Sequence, residues 1–226
     1  MIKKIKWYQV LRAILPIIYS VLLLKGFMSK SLIFMIVLFS LTIIGGAWFC
    51  GWLCPVGFAQ EWLGKLGRLL RIPKITFPTK INKWLNITRY VLFALSFLGL
   101  ASVIFLQSPY GSFMGVVDNN MSYITKSAWI LLYIFLGLSL FVDRPFCRYF
   151  CPEGTRYGIL SLLRVFTITR NSSSCVSCKK CDKVCPSQIE VSKYPDVRNA
   201  QCFNCFECIA VCPVKNTLKF NWAFKK

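Results

Sequence analysis

Eight cysteines near the C-terminus obey one spacing rule. Cys175, Cys178, Cys181 and Cys185 form a C-x2-C-x2-C-x3-C run closed by Pro186. Cys202, Cys205, Cys208 and Cys212 repeat it, closed by Pro213. Thiolates at these separations wrap three corners of an iron–sulfur cubane, and the fourth cysteine of each run ligates the other cluster. The spacing predicts two [4Fe–4S] clusters. One rests on Cys175, Cys178, Cys181 and Cys212, the other on Cys202, Cys205, Cys208 and Cys185. Crossed ligands of this kind close the segment into one compact unit with pseudo-two-fold symmetry.

Four further cysteines stand outside the runs. Cys50 and Cys54, then Cys147 and Cys151, form two C-x3-C-P motifs. A spacing of four puts each pair on one helix face, and the proline redirects the chain. Brought together, four sulfurs suit a further Fe–S cluster, Zn²⁺ or Cu(I). Two other readings stay open: buried thiols that only pack, and pairs that alternate between dithiol and disulfide.

Histidine is absent. That excludes bis-His haem, Rieske centres and His-ligated copper or zinc within this chain. Metal chemistry therefore falls on the twelve cysteines.

The elements that must position these thiols are strongly apolar. Hydrophobic residues make up 56% of the 226, above the roughly 45–50% of soluble domains. Apolar runs at about 8–26, 32–48, 90–106 and 127–142 predict four transmembrane helices, since about 20 residues cross a bilayer. A cleaved leader is discounted for the first, because no small-x-small site follows and Lys25 ends the run. Residues 56–70 and 155–166 are amphipathic and read as interfacial helices.

The first two-thirds of the chain carries an internal repeat. Trp7 and Arg12 recur as Trp84 and Arg89, and the segment Phe49–Gly57 recurs as Phe146–Gly154. Each repeat reads as two spans, a cysteine motif and an interfacial helix, with both repeats in one membrane orientation. The expected division is 1–169, a four-helix membrane domain, and 170–226, a small α+β cluster domain. The net charge is +20. Lys and Arg gather in the N-terminal tail, residues 65–83 and the region after Asp143, which predicts cytoplasmic termini in an inner membrane. No nucleic-acid-binding motif accompanies the charge.

Together these residues resemble the NapH/NosR/CcoG-type membrane polyferredoxins, closest to the NapH-like quinol dehydrogenase component. Cys50-Gly-Trp-Leu-Cys54-Pro and Arg144-Pro-Phe-Cys147-Arg-Tyr-Phe-Cys151-Pro carry the likeness, with the two-cluster ferredoxin run behind them. The resemblance implies electron transfer between the quinone pool and a redox partner, as a subunit rather than a stand-alone enzyme. No haem and no flavin-binding motif is expected. Expected partners are membrane lipid, an acidic electron carrier or sibling redox subunit, and quinone, with Glu61, Glu153 or Asp143 as quinone contacts or as salt-bridge partners. Two alternatives are a Cu or Fe reductase or cofactor-assembly protein using the four outer cysteines, and a regulatory redox sensor.

Overall fold

The computed structural model describes residues 7–24, 32–96 and 126–222. The end of the first apolar run, the third run beyond Ser96, the loop holding Asp118 and the last four residues lie outside the described residues.

The chain folds into two compact units: Met1–Ser31 with Trp52–Glu153, and Leu32–Gly51 with Gly154–Lys226. In the first unit, α1 (Trp7–Leu24) packs on α3 (Pro55–Leu69). The same α3 packs on α5 (Lys126–Leu138), while α4 (Thr79–Leu95) meets the short α6 (Pro145–Tyr149). Pro55 starts α3 where a missing N–H costs nothing. The buried face of α3 is polar or small: Gln60, Glu61, Gly64 and Gly67 point inward. Gly64 and Gly67 let the helix approach the end of α5, where a Cβ would meet Asp143 and Leu140. The apolar Trp62, Leu66 and Leu69 point outward.

In the second unit, α2 (Leu32–Gly45) ends at Gly46, whose φ of 86° is a left-handed turn that glycine adopts without strain. A π-helical turn (Phe49–Leu53) follows. Further on come α7 (Pro152–Leu160), a 3₁₀ turn, and β1 (Phe166–Arg170). Two one-turn helices, α8 (Lys180–Val184) and α9 (Glu207–Val211), open within the two cysteine runs. The closing strand β2 (Leu218–Trp222) pairs antiparallel with β1, with Phe166 opposite Trp222 and Arg170 opposite Leu218. Ile168, Ile189, Val191, Val197 and Leu218 form the core between the sheet and the cysteine runs.

The four-span architecture is overturned. Among the described residues no helix is long and apolar enough to cross a membrane. The helix in the second apolar run has 14 residues and that in the fourth has 13. At 1.5 Å per residue each reaches about 20 Å, against about 30 Å of hydrocarbon. Both stop inside their apolar runs, α2 at Gly45 and α5 at Leu138. The amphipathic stretches do form helices, but α3 buries Glu61 and exposes Trp62, so its apolar face is not its packed face. The stretch 155–166 is not one helix. It breaks after Leu160 and enters β1 at Phe166.

Candidate iron–sulfur site

The two cysteine runs share one local design. In each, the residues at the same two positions after the first cysteine take left-handed conformations: Ser177 and Lys179, then Asn204 and Phe206. Such turns aim successive backbone N–H groups into the loop, an anion-binding concavity. A one-turn helix follows each, and the fourth cysteine terminates it in an extended conformation, Cys185 after α8 and Cys212 after α9.

The fold gathers the cysteines across the runs. Cys185, Cys202, Cys205 and Cys208 line one cavity of about 340 Å³, walled by Ile168, Val197 and Phe203. Cys175, Cys178, Cys181 and Cys212 line a second, of about 390 Å³, walled by Arg170, Lys179 and Lys180. Each cavity thus takes three thiols from one run and the fourth from the other. All twelve cysteines are free. Among the described residues no three Cys, Asp or Glu side chains converge tightly enough to hold a single metal ion. The thiols ring volumes rather than a point, a donor set that fits a polynuclear cluster.

The two cavities differ in exposure and charge. Cys202 and Cys208 are buried, whereas Cys178 is exposed. Burial, with the neighbouring Cys205 thiol, pushes Cys185 up to about 12, and burial raises Cys208 well above its ordinary value. At the open cavity the Ser177 backbone N–H and the Arg170 side chain pull Cys175 below its ordinary value. Burial and the Asp182 carboxylate beside it lift Cys181 to about 11. Asp182 itself is held by Ser192, whose backbone N–H donates at 2.8 Å.

Behind the buried cavity lies Arg164, fully buried. Its Nη1 donates to the Cys202 carbonyl oxygen at 3.2 Å, and Nη2 donates to the Val197 carbonyl oxygen. Sequence reading placed Arg164 on an amphipathic surface helix and missed it. No local signal marks it, because its acceptors on Val197 and Cys202 lie more than 30 residues further along the chain.

The outer cysteines divide. Cys54, Cys147 and Cys151 gather with Val56, Phe135, Phe146 and Phe150 in the apolar cluster of the first unit. Cys50 belongs to the second unit. Burial raises the Cys54 thiol, and burial with the Cys54 neighbour pushes Cys147 up to about 12, while Arg144 favours the thiolate at both.

Next to these thiols is a buried ion-pair network. Glu61 Oε2 accepts from Arg12 at 2.6 Å and from Arg144, and Oε1 pairs with Lys65 at 3.1 Å. Burial alone would raise Glu61, but Arg144, Arg12 and Lys65 outweigh it and hold the carboxyl at about 2. Asp143 pairs with Arg68 at 2.8 Å and Lys74 at 3.2 Å. Of the two roles open to these carboxylates, both serve as salt-bridge partners. Glu153 lies in the electrostatic surroundings of Cys54.

A pair of crossed four-thiol cavities in a small two-stranded fold defines an iron–sulfur protein of the dicluster class. The 4Fe-4S dicluster domain family matches residues 167–213, and the 4Fe-4S binding domain family matches 31–73 and 127–170. The chain is similar to YccM of Escherichia coli, 37% identical over 180 residues, covering 76% of this chain and 50% of that protein. It is 35% identical over 218 residues to the uncharacterized protein MJ0750 of Methanocaldococcus jannaschii, covering 90% and 84%. It is 32% identical to the regulatory protein NosR of Pseudomonas aeruginosa, covering 76% of this chain and 24% of NosR. No solved structure matches the chain. The chain belongs to the NapH/NosR-type polyferredoxin family and is an iron–sulfur electron-transfer protein that binds [4Fe–4S] clusters.

Proposed function

We propose that this chain relays single electrons between a redox partner docked at the open cavity and the thiol set of its first unit. The observation that carries the reading is the crossing of thiols, Cys185 lining one cavity with Cys202, Cys205 and Cys208, and Cys212 lining the other with Cys175, Cys178 and Cys181. Bound [4Fe–4S] clusters supply reversible one-electron transfer. The chain's own residues fix where electrons enter and leave. With exposed Cys178, the open cavity is lined by exposed Lys179 and Lys180 and by Val176, 63% exposed. A basic rim around an apolar contact suits an acidic electron carrier or sibling subunit, and steers its approach.

Cys54, Cys147 and Cys151, together with Cys50, are assigned a metal or redox role. Cys54, Cys147 and Cys151 gather in the first unit, and at Cys54 and Cys147 Arg144 offsets part of the burial that disfavours the thiolate ligation requires. The chain works against a lipid surface. Supporting this, Ile14, Ile17, Ile18 and Val21 of α1 face outward while Arg12 and Tyr19 of the same helix are buried. Flotation with lipid vesicles tests the location: a chain that stays at the bottom of the gradient with vesicles present overturns it.

The ligand assignment is tested by Cys205→Ser. The variant is expected to lose one cubane while iron content falls by about half, and low-temperature EPR of the reduced protein should lose the interaction between two clusters. Persistence of two interacting cubanes would sink the assignment. Cys54→Ala with Cys147→Ala should leave those spectra intact and stop electron flux to the partner.

A further inference from the structure

The first cysteine of each run has an arginine beside it, and the two arginines sit in opposite environments. Arg170 lies at the open cavity, lining its wall together with Cys175, Lys179 and Lys180. Arg164 is fully buried, and its Nη1 donates to the carbonyl oxygen of Cys202. Several features keep Arg164 in place. Gly46 supplies the space: a Cβ there would come within 3.0 Å of Arg164 Cδ and Nη1. Asn204 donates to the Gly45 carbonyl oxygen alongside. The Val197 carbonyl oxygen takes Arg164 Nη2 and also accepts from Thr167 Oγ1 at 2.9 Å.

We propose that Arg164 sets the reduction potential of the site formed by Cys185, Cys202, Cys205 and Cys208, independently of the other site. The proposal rests on the reading that these thiols hold a cluster. Reduction adds one negative charge to the site. In an apolar pocket walled by Ile168, Ile189, Val191 and Val197, that charge is poorly solvated. A buried guanidinium hydrogen-bonded to the backbone of Cys202 offsets it, and net charge near a cluster sets its potential. The same cation at the surface does far less, because water and salt screen it. Arg170 and the lysines of the open cavity are in that position. Glu207, buried and next to Cys208, is the nearest acid in the same unit's sequence and works in the opposite direction. The two arginines thus make a symmetric pair of ligand sets electrically unequal, which gives electrons arriving at the open site a preferred direction.

The test is a dye-mediated potentiometric titration, with dithionite as reductant, on the full chain carrying its clusters, each midpoint followed by EPR. Arg164→Met is expected to lower one midpoint by at least tenfold in the reduction equilibrium, about 59 mV for one electron, and leave the other in place. Arg164→Lys, which keeps the charge, should restore most of the shift. Arg170→Met should move the other midpoint by less, and high salt should abolish that smaller shift. Equal midpoints in Arg164→Met, Arg164→Lys and the unmodified chain, with full iron content, overturn the proposal. Should Arg164→Met fail to assemble, the unmodified chain decides: raising salt from 0.05 to 1 M should move one midpoint only, and equal movement of both overturns it. Absence of two cubanes in the unmodified chain would instead defeat the underlying cluster assignment.

Discussion

Arg12 Nη2 donates to Glu61 Oε2 at 2.6 Å across 49 residues of sequence, and both side chains are buried. The bond ties α1 to α3, and Arg144 closes the same carboxylate from the other end of the unit. Arg144 itself holds a left-handed φ of 52°, so this contact fixes an unfavourable backbone at the start of α6. Replacing Glu61 by Gln leaves two buried guanidinium groups without their shared anion. The expected cost is about 3–5 kcal/mol, read as a lowered urea midpoint with unchanged slope. The pH dependence carries a sign. Glu61 is depressed from 4.5 to about 2, so its stabilisation is present above pH 4.5 and is lost as pH falls toward 2. The unmodified chain should destabilise through that window, and Glu61→Gln should not. Parallel acid titrations of the two would refute the ion-pair account.

That network shows what was and was not legible in the sequence. The crossed gathering of the eight thiols could be read from spacing alone, because cluster geometry dictates C-x2-C-x2-C-x3-C and leaves little freedom. The residues paired by the sequence repeat share their burial: Arg12 and Arg89 are both buried, and Trp7 and Trp84 are both more than 70% exposed. The spans were not. Apolar runs report total hydrophobicity, whereas helix length is set by local breakers such as Gly46 and by the turn after Leu138. Arg164 was hidden for a different reason. A charged residue in an amphipathic stretch reads as solvated, and only the tertiary fold supplies carbonyl oxygens from Val197 and Cys202 to bury it.

Asp143 offers a contrast with Glu61. Its partners are Arg68, 47% exposed, and Lys74, and the carboxylate is itself partly exposed. Water and salt screen such a pair, so its worth is about 0–1 kcal/mol. Asp143→Asn should shift the urea midpoint slightly, and the shift should vanish in 1 M salt. A loss as large as that from Glu61→Gln would show that the two carboxylates act as one network.

Asn82 joins α4 to α6. Its Oδ1 accepts from Arg148 Nη2 at 2.7 Å and from the Tyr149 hydroxyl at 2.9 Å. Arg148 is buried, so losing this acceptor removes a hydrogen bond from a charged donor that water reaches poorly. Asn82→Ala should cost about 1–3 kcal/mol, with hydrogen exchange rising first in Pro145–Tyr149. Unchanged protection there would mean that the link to α4 does not hold the short helix.

Gly51 closes the second unit against the loop between Cys202 and Cys205. A Cβ at this position would run into the Phe203 carbonyl oxygen, which is backbone and cannot step aside as a flexible side chain would. Phe203 also walls the buried cavity, so the push is transmitted to the four-thiol site beside it. Gly51→Ala is therefore expected to reduce occupancy of the Cys185, Cys202, Cys205 and Cys208 site while sparing the open one. Iron analysis should fall toward one cluster per chain, and the EPR signal of an isolated cubane should remain. A nearby control is Gly137→Ala, where a Cβ meets nothing within 4 Å and both clusters should persist. Equal cluster content in Gly51→Ala and Gly137→Ala would show that the loop carrying Cys202 and Cys205 yields without disturbing its thiols.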